Sequence, residues 1–171
     1  MLRLIGACMV IFGCGTAGIV VARSYSLRLR HLQEMRSALQ LLATEINYAR
    51  SSLSEACSKI AGQVEGPIAQ FFAQFADSLA QNNDVSASEL WNQALQILGE
   101  AGFTNQELEA VGQLGSALGR SDADDQMKHL LLLQTRLEQL GSQAEQERDK
   151  MVRLWNYLGF CVGALIVLLL I

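Results

Sequence analysis

Two apolar stretches, one at each end of the chain, frame a centre that carries nearly all the charge. From Leu4 to Ala22 the only ionisable side chains are the thiols of Cys8 and Cys14, and from Leu154 to Ile171 only those of Tyr157 and Cys161. At ~1.5 Å rise per residue each stretch reaches ~28 Å as a helix, about the hydrocarbon thickness of a bilayer. The pattern predicts transmembrane helices over 4–22 and 154–171, with one domain over 23–153 between them. Inside the centre the periodicity changes to steps of three and four. Leu32, Met35, Leu39, Leu42, Ile46 and Ala49 form one seam on a helix running from Arg23 to Ala49. Leu130, Leu133, Leu137, Leu140, Ala144, Met151 and Leu154 form another, with a polar skip at Glu147, on a helix starting near Asp122. Such spacing marks helices lying side by side. Both arms enter the membrane, so they must be antiparallel, which pairs Leu32 with Ala144, Leu39 with Leu137, and Ile46 with Leu130.

Between the arms, helix starts recur. Ser52 with Glu55, Ser86 with Glu89 and Thr104 with Glu107 each place a hydroxyl three residues before a glutamate, the capping-box spacing, and Ser121 with Asp124 is a weaker version. Gly66-Pro67 opens a further helix, since proline is tolerated in a first turn. Gly62, Gly102 and Gly119 mark helix ends. Short helices are predicted near 53–61, 67–80, 87–100 and 105–118. With the two arms this gives an all-α fold, an antiparallel bundle of about six helices with a transmembrane helix at each end of the chain.

Charge sets the orientation. Twelve of the 13 Lys and Arg residues lie between the apolar stretches, several beside a membrane end: Arg23, Arg28, Arg30 and Arg36 on one arm, Arg148, Lys150 and Arg153 on the other. The positive-inside rule then makes 23–153 cytoplasmic and puts both termini on the far side, with Trp155 and Tyr157 at headgroup level. The first stretch reads as a retained anchor, because its apolar run continues past Cys8 and Cys14 and the arginines after it oppose translocation. Residues 51–127 hold eleven Asp and Glu against Lys59 and Arg120, a balance of −9. An acidic tip on a basic base suits a domain standing off an anionic leaflet and offering its tip to a basic partner. Nucleic acid is disfavoured, since phosphate contact needs clustered cations.

Catalytic constellations are close to absent: no phosphate loop, no HExxH, no nucleophile elbow, and nothing that calls for a cofactor or small-molecule substrate. Three of the four cysteines lie in the apolar stretches, which leaves Cys57 alone and excludes a disulfide framework. Asp125 and His129 stand one helical turn apart, which permits a membrane-anchored phosphotransfer protein using His129 as an alternative reading. No full metal-ligand set accompanies them.

Three segments resemble the stage III sporulation protein AB family. They are Leu118-Gly119-Arg120-Ser121-Asp122-Ala123-Asp124-Asp125-Gln126-Met127-Lys128-His129-Leu130, the run Ala38 to Tyr48 followed by Leu53 to Ala56, and Met151 to Gly159. The resemblance extends over the chain. It implies a non-enzymatic membrane platform subunit of the channel that joins mother cell to forespore during endospore formation. It also implies a soluble domain similar to the F-protein domains of type II secretion and type IV pilus platforms. The expected setting is the mother-cell membrane around the forespore, and the expected partners are the secretion-type ATPase, stage III sporulation protein AA, and other channel membrane proteins, with membrane lipids around the spans. On that basis Glu107, Glu109, Arg120, Asp122, Asp124 and Asp125 are candidates for docking the ATPase. Gly13, Ala17, Gly159 and Gly163 are candidates for close packing of the two membrane helices.

Overall fold

The computed structural model describes residues 2–46, 52–81, 84–118 and 123–170, and side chains for these except residues 2–22, 123–125, 156 and 158–170. Six α-helices follow one another: α1 Leu2–Thr44, α2 Leu53–Ala61, α3 Gly66–Gln81, α4 Ala87–Glu100, α5 Asn105–Ala117 and α6 Ala123–Leu170. No strand occurs among the described residues. The predicted short helices are matched to within a residue or so, and both arms run without a break into the apolar ends. Among the residues whose side chains are described, no helix is long and apolar enough to cross a membrane. The chain divides into two units, Arg30–Gly141 and the paired segments Met1–Leu29 and Ser142–Ile171.

Capping explains where the helices of the larger unit begin. Ser52 Oγ accepts from the Glu55 amide and the Glu55 carboxylate accepts from the Ser52 amide, both at 3.3 Å. Ser86 Oγ accepts from the Glu89 amide at 3.3 Å, and the Glu107 carboxylate accepts from the Thr104 amide at 2.7 Å. These bonds satisfy orphan donors of a first turn. The Ser121 cap lies outside the described residues, as does Gly119. At the end of α4, Gly102 has φ +92 and the Phe103 amide donates back to the Leu98 carbonyl at 3.1 Å. A left-handed residue that reverses the chain in this way favours glycine. Gly62 differs from the expectation: it closes α2 in the right-handed region, at φ −78.

Each helix buries one stripe. On α3 it is Ile68, Phe71, Phe72, Phe75 and Ala76, and on α4 Leu90, Trp91, Ala94 and Leu98. Trp91 lies at the centre, edge-on to Phe71 at 4.7 Å, Phe75 at 4.9 Å and Phe72 at 6.1 Å between centroids. Its indole N–H donates to the Val111 carbonyl at 2.9 Å. Helices α4 and α5 run antiparallel, because Gly99 approaches Leu108, Gly112 approaches Leu95, and Gly115 approaches Trp91. A Cβ at Gly115 would stand 2.5 Å from Trp91 Cδ1. The indole is held on one side by aromatic edges and on another by its hydrogen bond, so it cannot step aside. Gly115→Ala should therefore cost about 1–3 kcal/mol by overpacking, read as a lower chemical-denaturation midpoint. A neutral result would mean that Trp91 is free to move.

The arm seams hold in their inner halves. Leu32, Met35, Leu39 and Leu42 are buried on α1, and Leu130, Leu133, Leu137 and Ala144 on α6. Arg36 pairs with Glu138 at 3.2 Å within the larger unit, and Arg28 pairs with Glu147 at 2.9 Å within the other. Each pair lies within two residues of the predicted antiparallel register. His31 Nδ1 donates to the Ala101 carbonyl at 3.1 Å, which ties α1 to the end of α4. Two expectations fail at the outer ends of the seams. Ile46 is only partly buried, and Leu154 is 50% exposed. A seven-residue repeat drifts ~20° per heptad around an ordinary helix, and over more than three heptads this carries Leu154 off the buried face. Ala49 lies outside the described residues.

Candidate docking surfaces

The sequence-predicted docking residues separate into three groups. Glu107 is fully buried and spends its carboxylate on the first turn of α5, so it is not available to a partner. This corrects the expectation for that residue: capping-box spacing and surface acidity make competing demands on one side chain, and capping prevails. Glu109, two residues on, is exposed. Arg120 and Asp122 lie outside the described residues, and the side chains of Asp124 and Asp125 are not among those described. The same holds for Gly13, Ala17, Gly159 and Gly163.

Other acids of the distal helices do reach solvent. Glu65, Asp77, Asp84, Glu89 and Glu100 are exposed on α3, α4 and their connections. Opposite charges are scarce on the same helices, where Lys59 is committed to Glu45 at 2.9 Å. The electrostatic character read from the sequence is therefore displayed at the surface, carried by more residues than those first singled out.

Sequence reasoning missed a second surface. Between α5 and α6 lies an open groove with a cavity volume of about 540 Å³, floored by Leu114, Leu132 and Leu133 and edged by His129, Arg136 and Gln139. Leu132 is 67% exposed and Leu131 53%. The signal was present in the run Leu130 to Leu133. Four consecutive leucines on a helix point around its whole circumference, and one seam can cover only some of them. His129 is exposed in this groove, with no acid among its lining residues.

Chemistry is sparse elsewhere. No group of three metal-ligating side chains occurs among the described residues. Cys57 is fully buried on α2, and burial pushes its thiol up to about 12. An unfolded thiol titrates near ~8.5, so above that pH the unfolded chain releases a proton that the folded chain keeps. The stability due to this difference is complete below that pH and declines as pH rises toward the folded value. Cys57→Ala should flatten the loss of stability between neutral and alkaline pH, measured by denaturant melts of both proteins. Parallel slopes would place the alkaline sensitivity elsewhere.

An all-helical bundle with long terminal arms, an acidic distal surface and no described catalytic cluster defines a binding or scaffolding class of protein. The comparisons specify which. The family model for stage III sporulation protein AB matches residues 3–171. The stage III sporulation protein AB of Bacillus subtilis (strain 168) is 35% identical over 171 residues, covering 99% of either chain. A solved structure of stage III sporulation protein AB superposes with a TM-score of 0.67 at 34% identity, covering 72% of this chain and 98% of that one. The chain belongs to the stage III sporulation protein AB family. Its role is therefore in sporulation, and the family is named for that process rather than for a catalytic activity.

Proposed function

We propose that this chain is a non-enzymatic membrane platform subunit of the channel between mother cell and forespore. In this reading residues 4–22 and 154–171 span the mother-cell membrane around the forespore. Residues 23–153 lie in the cytoplasm, and both termini lie on the far side. The acidic distal surface recruits the secretion-type ATPase, stage III sporulation protein AA, while the arms connect that surface to other channel membrane proteins.

The observation that carries the reading is the continuity of the arms. Helix α1 extends from Leu2 to Thr44 and α6 from Ala123 to Leu170, so each apolar end belongs to the same helix as an arm of the bundle. A displacement at the distal surface can pass along a helix into the membrane without crossing a flexible joint. The arginines flanking the apolar stretches support the orientation. Gly159 and Gly163 on one stretch, with Gly13 and Ala17 on the other, would allow the two membrane helices to approach closely.

Reporter fusions test the arrangement in living cells. A reporter active only in the cytoplasm should be silent when fused after Ile171 and active when inserted between Asn83 and Asp84. Cytoplasmic activity at Ile171, or recovery of the intact chain in the soluble fraction, would overturn the reading.

A further inference from the structure

The groove between α5 and α6 has a chemistry opposite to that of the acidic surface. Its floor is apolar, with Leu114, Leu132 and Leu133 contributed by the two facing helices. Its rim carries His129 and Arg136, and no acidic residue lines it. Arg136 is exposed and makes no ion pair among the described residues, unlike Arg28, Arg30, Arg36 and Arg148. A leucine left 67% exposed beside an unpaired guanidinium, in a concave site, combines apolar and cationic recognition.

The shape restricts the occupant further. Both walls are α-helices whose main-chain groups are bonded internally, so the groove has no free edge to pair with an extended peptide. An occupant must satisfy its own backbone, and a helix does so. From His129 to Gln139 the α6 wall runs ~15 Å, room for about three helical turns. We infer that this groove is a docking site for an amphipathic helix of a partner protein, its apolar face on Leu132 and Leu133 and an acidic residue against Arg136. The inference stands on the groove alone and is independent of the membrane arrangement and of ATPase recruitment by the acidic surface.

A photocross-linking residue, p-benzoylphenylalanine, placed at position 132 of the full-length chain in sporulating cells tests it. Mass spectrometry of the cross-linked product identifies the peptide seated there. The expected peptide has apolar residues at steps of three and four, with Asp or Glu beside them. Arg136→Glu in the same background should reduce the cross-link about tenfold, as for reversal of one close interfacial charge, with the melting temperature of the purified variant unchanged. A synthetic 18-residue helix of Leu and Glu should bind the purified full-length protein in detergent, and its Lys-for-Glu counterpart should not. Cross-linking to a second copy of this chain, to lipid or to a basic or extended segment would overturn the inference. Equal binding of the two synthetic helices, an undiminished cross-link in the Arg136→Glu protein, or no cross-link at all would do the same.

Discussion

Trp91→Ala is expected to destabilise the domain by about 3–5 kcal/mol, the range for emptying a buried aromatic site. The side chain is fully buried, meets three phenylalanine edges and donates its indole proton to the Val111 carbonyl. Removing it leaves a cavity and withdraws a donor from a buried acceptor, and both effects act in one direction. Trp91→Phe should recover part of the packing and none of the hydrogen bond, and so should fall between the two. A double-mutant cycle sharpens the test. The overpacking cost of Gly115→Ala arises from the indole, so it should disappear, or become a gain, in the Trp91→Ala background. Additive effects of the two substitutions would show that the close approach is not what constrains position 115.

The second large effect falls on the arms. Leu39→Ala and Leu137→Ala should each cost about 2–5 kcal/mol, since both side chains are buried in the seam between α1 and α6. The Arg36–Glu138 ion pair, with both side chains substantially exposed, contributes little by comparison, about 0–1 kcal/mol. It marks the register more than it strengthens it. With the native cysteines replaced, Leu39→Cys and Leu137→Cys together should form a cross-link readily. Efficient linkage of position 39 to a position one heptad away from 137, with none to 137 itself, would show the register to be wrong.

The parts of this fold legible in the sequence are those fixed by local chemistry. Ser52, Ser86 and Thr104, each three residues ahead of a glutamate, locate three helix starts because capping needs only neighbouring residues. The seams on α1 and α6 are legible because a long periodic stripe has few alternatives. What the sequence hides depends on three-dimensional neighbours. Glu107 reads as one more surface acid, and only the packing of α5 shows it buried. The partnership of Gly115 with Trp91 joins residues 24 apart and carries no local signature. The α5–α6 groove is a relation between two helices, although the surplus leucines at 131 and 132 give notice of it. Leu154 was misplaced because a straight helix and a seven-residue repeat do not keep step.

The central claim is that an acidic distal surface on a membrane platform recruits the sporulation ATPase. Single charge changes should be nearly silent, because exposed pairs are each worth little. The most direct measurement is binding of purified stage III sporulation protein AA to the full-length chain in lipid nanodiscs, as a function of salt. Comparison is with a protein carrying Glu109→Lys, Asp124→Lys and Asp125→Lys together. The account predicts binding that weakens as salt rises and is lost in the triple variant, with its melting temperature unchanged. No binding by the parent chain, or undiminished and salt-independent binding by a folded triple variant, would contradict it.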